Sequence, residues 1–246
     1  MNAQVPEGWG KDPLSRFIED AYHNCIASFV NYRDLPVMTA VKEVDASFRS
    51  MLCISFHPKE EILLPSFAGR SQAAYLSSIQ LSMAGQVPEA YVAIRLCLEN
   101  ALYALFIQDD PMINEEIPQR WKIWLDRGTD EEATKKCRTT FTHANVRDCL
   151  ITRDGPLGKR ASSLYERTIT YGAHPNVYAL VMASELADER GGSVHYLMPN
   201  TLPAKVCIQT AVDVGICTLR VFHLILNQRF EDAGILARID WLNWPS

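Results

Sequence analysis

Residues 88–108 read PEAYVAIRLCLENALYALFIQ, the most apolar helix-length run in the chain, with Arg95 and Glu99 at its centre. Four residues apart on a helix, those two side chains share one face and lie one turn from each other. Val92, Ile94, Leu96, Leu98, Leu102, Leu105 and Phe106 surround them. A helix apolar on almost all sides is buried among other helices. The run therefore reads as the core of a helical bundle, and its two charges mark where buried polar groups should gather.

Outward from this run, proline and glycine divide the chain. Gly85 closes the preceding helix and Pro88 opens the central one, the usual Gly-end, Pro-start asymmetry. Before it, helices are expected over 13–32, 37–56 and 66–83, although Gly69 and five serines weaken the third. The first carries Phe17, Ile18, Tyr22, Ile26, Phe29 and Val30 as its apolar stripe. After it, 114–126 is helical, and Thr129 with the acidic 130–132 starts a helix running to 150. Further helices are expected over 157–171, from 174 onward, over 203–228, and last ending at Trp241–Trp244. The VHYLM piece, 194–198, is the one strand-like segment; it either pairs with 61–64 or stays an extended loop. The fold class is therefore all-α, a multi-helix bundle of about eight or more helices with at most one small strand pair near 190–200. Residues 1–12 form a flexible arm and 13–246 one helical domain, with helices 88–108 and 203–228 as neighbours at its centre.

The totals fit that reading. At 246 residues, with 48% hydrophobic and 22% charged positions, the chain can bury a sizeable core and is not disordered. A net charge of −5 with no Lys/Arg run beyond two residues argues against a general nucleic-acid or membrane-surface binder. It leaves room for a small basic site. Seven scattered cysteines without a CxxC pair read as reduced thiols of a cytoplasmic protein. No membrane span is expected, because Asp213 and Arg220 interrupt the best candidate. There is no HExxH, GxSxG, GxGxxG or Gly-x4-Gly-Lys-Ser/Thr, and no histidine spacing for a metal. No cofactor is expected.

Two constellations carry what chemistry there is. The first is Arg95 with Glu99, joined on the same helix by Tyr103. Desolvating two charges can outweigh their attraction, so the pair is either a structural ion pair or the wall of a ligand site. The second is SSLYERTITYGAHPN, 162–176. Tyr171, His174 and Asn176 there either tie down a connection or complete a polar site with Arg95 and Glu99.

The G-x-x-x-E-A-Y-x-x-x-R-x-x-x-E helix, with Gly85, Glu89, Ala90, Arg95 and Glu99, is followed by Tyr171, Gly172, His174 and Asn176. Spread over residues 70–185, this pairing resembles bacterial all-helical families that are likened to the HEPN (higher eukaryote and prokaryote nucleotide-binding) superfamily. That superfamily includes dimeric, metal-independent ribonucleases of toxin–antitoxin and defence systems that use an Arg-x4–6-His motif. The resemblance implies RNA as partner, a homodimer, and His174 as general acid/base with Arg95 or Arg167 facing the phosphate. Arg167-x6-His174 and Arg138-x4-His143 both fit the motif, though chance alone yields about one such match in this composition. The alternative expectation is a non-catalytic helical scaffold, or a sensor of a small anionic ligand, in which the Arg95–Glu99 pair is structural.

Overall fold

The computed structural model describes residues 5–57, 61, 63–110, 119–173, 177, 184–185, 193–194 and 196–242. Proline sits in the first two positions of six helices. They are α1 (Pro13–Tyr32), α2 (Pro36–Leu52), α3 (Leu64–Ala84), α4 (Val87–Gln108), α8 (Gly155–Thr168) and α9 (Leu202–Leu226). Its missing N–H costs nothing there, because first-turn donors have no partner within the helix. Asp12, Asp154 and Thr201 then accept from backbone N–H groups at the starts of α1, α8 and α9. Between α4 and α8 lie α5 (Gln119–Leu125), α6 (Glu131–Thr140) and α7 (His143–Arg153). A π-helical turn, Ile169–Ala173, extends α8, and short helices α10 (Gln228–Asp232) and α11 (Ile235–Asp240) follow α9.

Helix α4 is the axis of the bundle. It packs most extensively along α3 and α9, and its remaining faces meet the π-turn, α7 and α8. Leu98, Ala101 and Ile94 of α4 and Ile208, Leu219 and Phe222 of α9 are shut off from solvent. The expected adjacency of the two most apolar helices is therefore found. Among the described residues both are long and apolar enough to cross a membrane by length and composition alone, despite their charges. In each, 67% of the most apolar window is buried inside the protein, as in a core helix.

The serines that weaken α3 on paper turn out to be what lets it pack. Ser71, Ser78 and Ser82 are fully buried. Ser78 and Ser82 donate to Tyr75 O and Ser78 O within the helix, and Ser71 donates across to Cys97 O at 3.2 Å. Each hydroxyl is satisfied, so these small side chains admit close helix approach without an orphaned polar group. Gly215 of α9 works the same way. A Cβ there would lie 2.6 Å from Val44 Cγ1 and 3.0 Å from Tyr75 Cε2.

Several boundaries differ from expectation. The helix expected from 129 to 150 is two, because the chain breaks at Phe141–Thr142: Phe141 turns into an aromatic cluster and Thr142 caps α7 by accepting from Asn145 N. Helix α2 stops at Leu52, short of 56. Among the described residues the strand-like segment contributes Val194 to a strand, and β1 (Ser184–Glu185) pairs antiparallel with β2 (Ser193–Val194). The far end of the segment docks on Gly85, whose carbonyl accepts from Met198 N at 3.0 Å. Residues 114–118, much of the expected helix after 174, and Trp244 lie outside the described residues.

The largest departure is α1. Apart from the half-buried Phe17, its expected packing stripe faces solvent, while the buried positions are Ser15, Ser28 and Tyr32. Ser28 donates to Met83 O at 2.8 Å and Asn24 to Ala84 O at 3.3 Å, so α1 sits on α3 through polar and small residues.

Gly85 gives the clearest local prediction. Its φ is +91°, and a Cβ would lie 2.3 Å from Met198 N. Gly85→Ala is expected to cost about 2–3 kcal/mol, from the left-handed backbone and the displaced 198–199 chain together. Urea unfolding of the two proteins measures it.

Candidate functional site

One face of α4 presents Arg95, Glu99 and Tyr103 at successive turns. Arg95 Nε lies 3.2 Å from Glu99 Oε1, and the two side chains keep 23% and 25% of their exposure. The pair is thus half-buried at the edge of the core rather than sealed in its centre, contrary to expectation. Tyr165 of α8 completes it: its hydroxyl donates to Glu99 Oε1 at 3.1 Å, and the Arg95 guanidinium lies 5.9 Å from its ring centre. His143, the first residue of α7, stacks on that ring with centroids 4.1 Å apart. Tyr103, one turn beyond Glu99, stacks nearly parallel on Phe141 at 5.7 Å and tilts against Trp124. It belongs to the aromatic cluster.

The electrostatics follow from this arrangement. Burial, reinforced by the Glu99 carboxylate, pushes the Tyr165 phenol up to about 12, so it stays a hydrogen-bond donor. The Tyr103 phenol is raised by the same two causes. His143 is held below the ordinary histidine value, first by partial burial and then by Arg147; Glu99 and Glu166 oppose this. Its ring is therefore neutral at physiological pH. The cluster joins a neutral imidazole, a phenol donor and a compensated guanidinium–carboxylate pair.

The other expected site residues go elsewhere. Tyr171 stacks on Tyr91, centroids 5.4 Å apart, one helical turn before Arg95. Gly172 explains why the π-turn can sit there, because a Cβ would meet Pro88 O at 2.3 Å and Tyr91 Cβ at 2.8 Å. His174 and Asn176 lie outside the described residues. Arg167 pairs with Asp213 at 3.8 Å, as does Arg160 at 3.6 Å, in a second polar cluster that Gln209 joins. Asp213 is 14% exposed and also lines a cleft of about 610 Å³ with Asp34, Val37 and Trp241. Arg138 lines a shallow depression with Asp130 and Lys135, and the break at 141–142 separates it from His143, so the two do not share a helix. Asn100 donates to Leu96 O, Arg220 pairs with Asp240 and His223 with Glu231. None of them joins the Arg95 cluster through these bonds.

Tyr165, inside the 162–176 segment, and His143, inside the Arg138-x4-His143 spacing, are not the residues expected to face Arg95 and Glu99. They stand 66 and 44 residues after Glu99, and nothing in the local pattern ties them to it. Among the described residues no group of three His, Cys, Asp or Glu side chains could hold a metal ion. No protein-family model, curated protein or solved structure matches the chain.

Proposed function

We propose that this protein is a non-catalytic helical scaffold in which the Arg95–Glu99 pair is structural. The observation that carries the reading is that a single carboxylate oxygen, Glu99 Oε1, takes both the Arg95 Nε contact and the Tyr165 hydroxyl. The cluster thereby ties α4 to α8, and its guanidinium charge is already compensated. A free phosphate or carboxylate at Arg95 would compete with the Glu99 carboxylate for its charge. A cytoplasmic location belongs with this proposal and is supported by seven scattered thiols, of which burial pushes Cys97, Cys207 and Cys217 up to about 12.

Arg95→Ala is expected to cost about 1–2 kcal/mol, less than for a sealed pair because both groups are partly solvated. That corresponds to a melting temperature lower by about 2–6 °C. An unchanged melting temperature would sink the structural reading.

One observation favours a second reading, RNA-directed cleavage in the manner of the HEPN-like families. His143, neutral and solvent-accessible, stacks on the Tyr165 ring that Arg95 also approaches, and an imidazole can act as general acid/base while a guanidinium stabilises phosphate charge. Incubation of the purified protein with RNA separates the two. The scaffold reading expects intact RNA. Cleavage that disappears in both His143→Ala and Arg95→Ala overturns it in favour of the nuclease.

A further inference from the structure

Helix α1 holds most of its apolar side chains exposed to solvent, although Lys42 lies over the Phe29 ring. Leu14, Ile18, Tyr22, Ile26 and Val30 recur at every fourth residue and remain 68%, 45%, 64%, 46% and 51% exposed, with Phe29 beside them at 44%. Taking roughly 200 Å² for a free side chain of this size, the six present on the order of 500 Å² of apolar surface. That is as large as the biggest patch on an ordinary monomer. A residue-by-residue i+4 ridge is the form that interdigitates with a like ridge on another helix.

The order of the ridge says which helix. Counted from Tyr22, Ile18 mirrors Ile26 and Leu14 mirrors Val30, branched aliphatics on both sides of one aromatic. A two-fold axis through Tyr22 therefore lays the ridge on a copy of itself, as an isologous interface requires. The charges agree. Glu19 and His23 border the ridge on the same side, three residues before and one after Tyr22. The axis brings Glu19 of each copy beside His23 of the other. The opposite border is the protein's own α3, where Gln80 O accepts from Cys25 Sγ. Two such faces together bury on the order of 1,000 Å², the threshold for a specific interface.

We propose that α1 is a homodimer interface, crossing α1 of a second copy at about 50° around Tyr22, with the two helices running in opposite senses. This goes beyond the scaffold reading and does not depend on it. Its test is sedimentation velocity on the full chain over a dilution series. The wild type is expected at twice the 27.7 kDa chain mass. Tyr22→Asp and Ile18→Arg are expected to weaken dimerisation more than about tenfold with unchanged helical circular dichroism, because both side chains already face solvent. Leu125→Asp, on α5 and equally exposed, leaves the dimer intact. Glu19→Lys weakens it, and adding His23→Glu restores it. A wild type that stays monomeric, or a dimer that survives Tyr22→Asp and Ile18→Arg unchanged, overturns the proposal. So does a mixed complex in which only a foreign protein protects α1.

Discussion

Leu98→Ala is expected to lower the unfolding free energy by about 3–4 kcal/mol, the cost of emptying a core site that cannot fully collapse. Leu98 has no solvent exposure and sits midway along α4, the helix that α3 and α9 both pack against. Neither neighbour can close in. Ser71 already brings α3 within hydrogen-bonding distance of Cys97 O, and Gly215 holds α9 against Val44 and Tyr75. The melting temperature should fall by on the order of 10 °C for a chain of this length. Two controls on the same helix calibrate the effect. Leu98→Met, which keeps the volume, should cost under about 1.5 kcal/mol. Val92→Ala, at a position 47% exposed, should stay within about 0.5–1 kcal/mol. A loss at Leu98 no larger than at Val92 would show that α4 is not the core.

Arg229→Met is expected to cost about 3 kcal/mol at neutral pH, because it strands a buried carboxylate. Arg229 on α10 binds both oxygens of Glu61, one at 2.9 Å, and also donates to Ser55 O at 2.9 Å. Glu61 is only 6% exposed, and its Oε2 additionally accepts from His57 N at 2.7 Å. Burial alone would raise the Glu61 carboxyl, but the Arg229 bonds and the His57 N–H outweigh it and hold the group below its usual value. With the folded value depressed, the pair's contribution is complete above the unfolded carboxylate value of about 4.3 and is lost as pH falls through the folded one. In Arg229→Met burial prevails, the folded value rises, and acid now relieves the strain. The destabilisation should therefore be largest near neutrality and shrink below about pH 4. Urea denaturation of both proteins at the two pH values reads it directly. A constant difference across that range would mean that Arg229 acts through packing and not through its charge.

Much of the bundle is legible in the chain because its punctuation is local. A proline in a first turn and a glycine after Ala84 act through their own backbone, so the starts of α1, α2, α4 and α9 are found within one or two residues. Arg95 and Glu99 are legible for the same reason, since four-residue spacing on one helix guarantees their neighbourhood. The break at 141–142 is not legible. Phe141 leaves the helix to stack on Tyr103, a residue 38 positions earlier, and no helix-breaking residue marks the place. The serines of α3 mislead for a related reason. Their low intrinsic propensity is a property of isolated helices, whereas in the bundle their size sets how closely α3 meets α4.

The sequence by itself determined where the helices lie, that α4 and α9 form the centre, and that an arginine and a glutamate ride together on α4. Tertiary structure alone decided which way each helix is turned and which distant side chains meet there. Tyr165 reaches Glu99, and His143 reaches Tyr165, only because α7 and α8 pack against α4. The stripe of α1 faces outward because Ser28 and Asn24, not its apolar residues, find partners on α3. Periodicity tells that a helix has an apolar face. It does not tell whether that face meets the chain's own core or a second copy, because rotation about a helix axis is set by the neighbour and not by the helix.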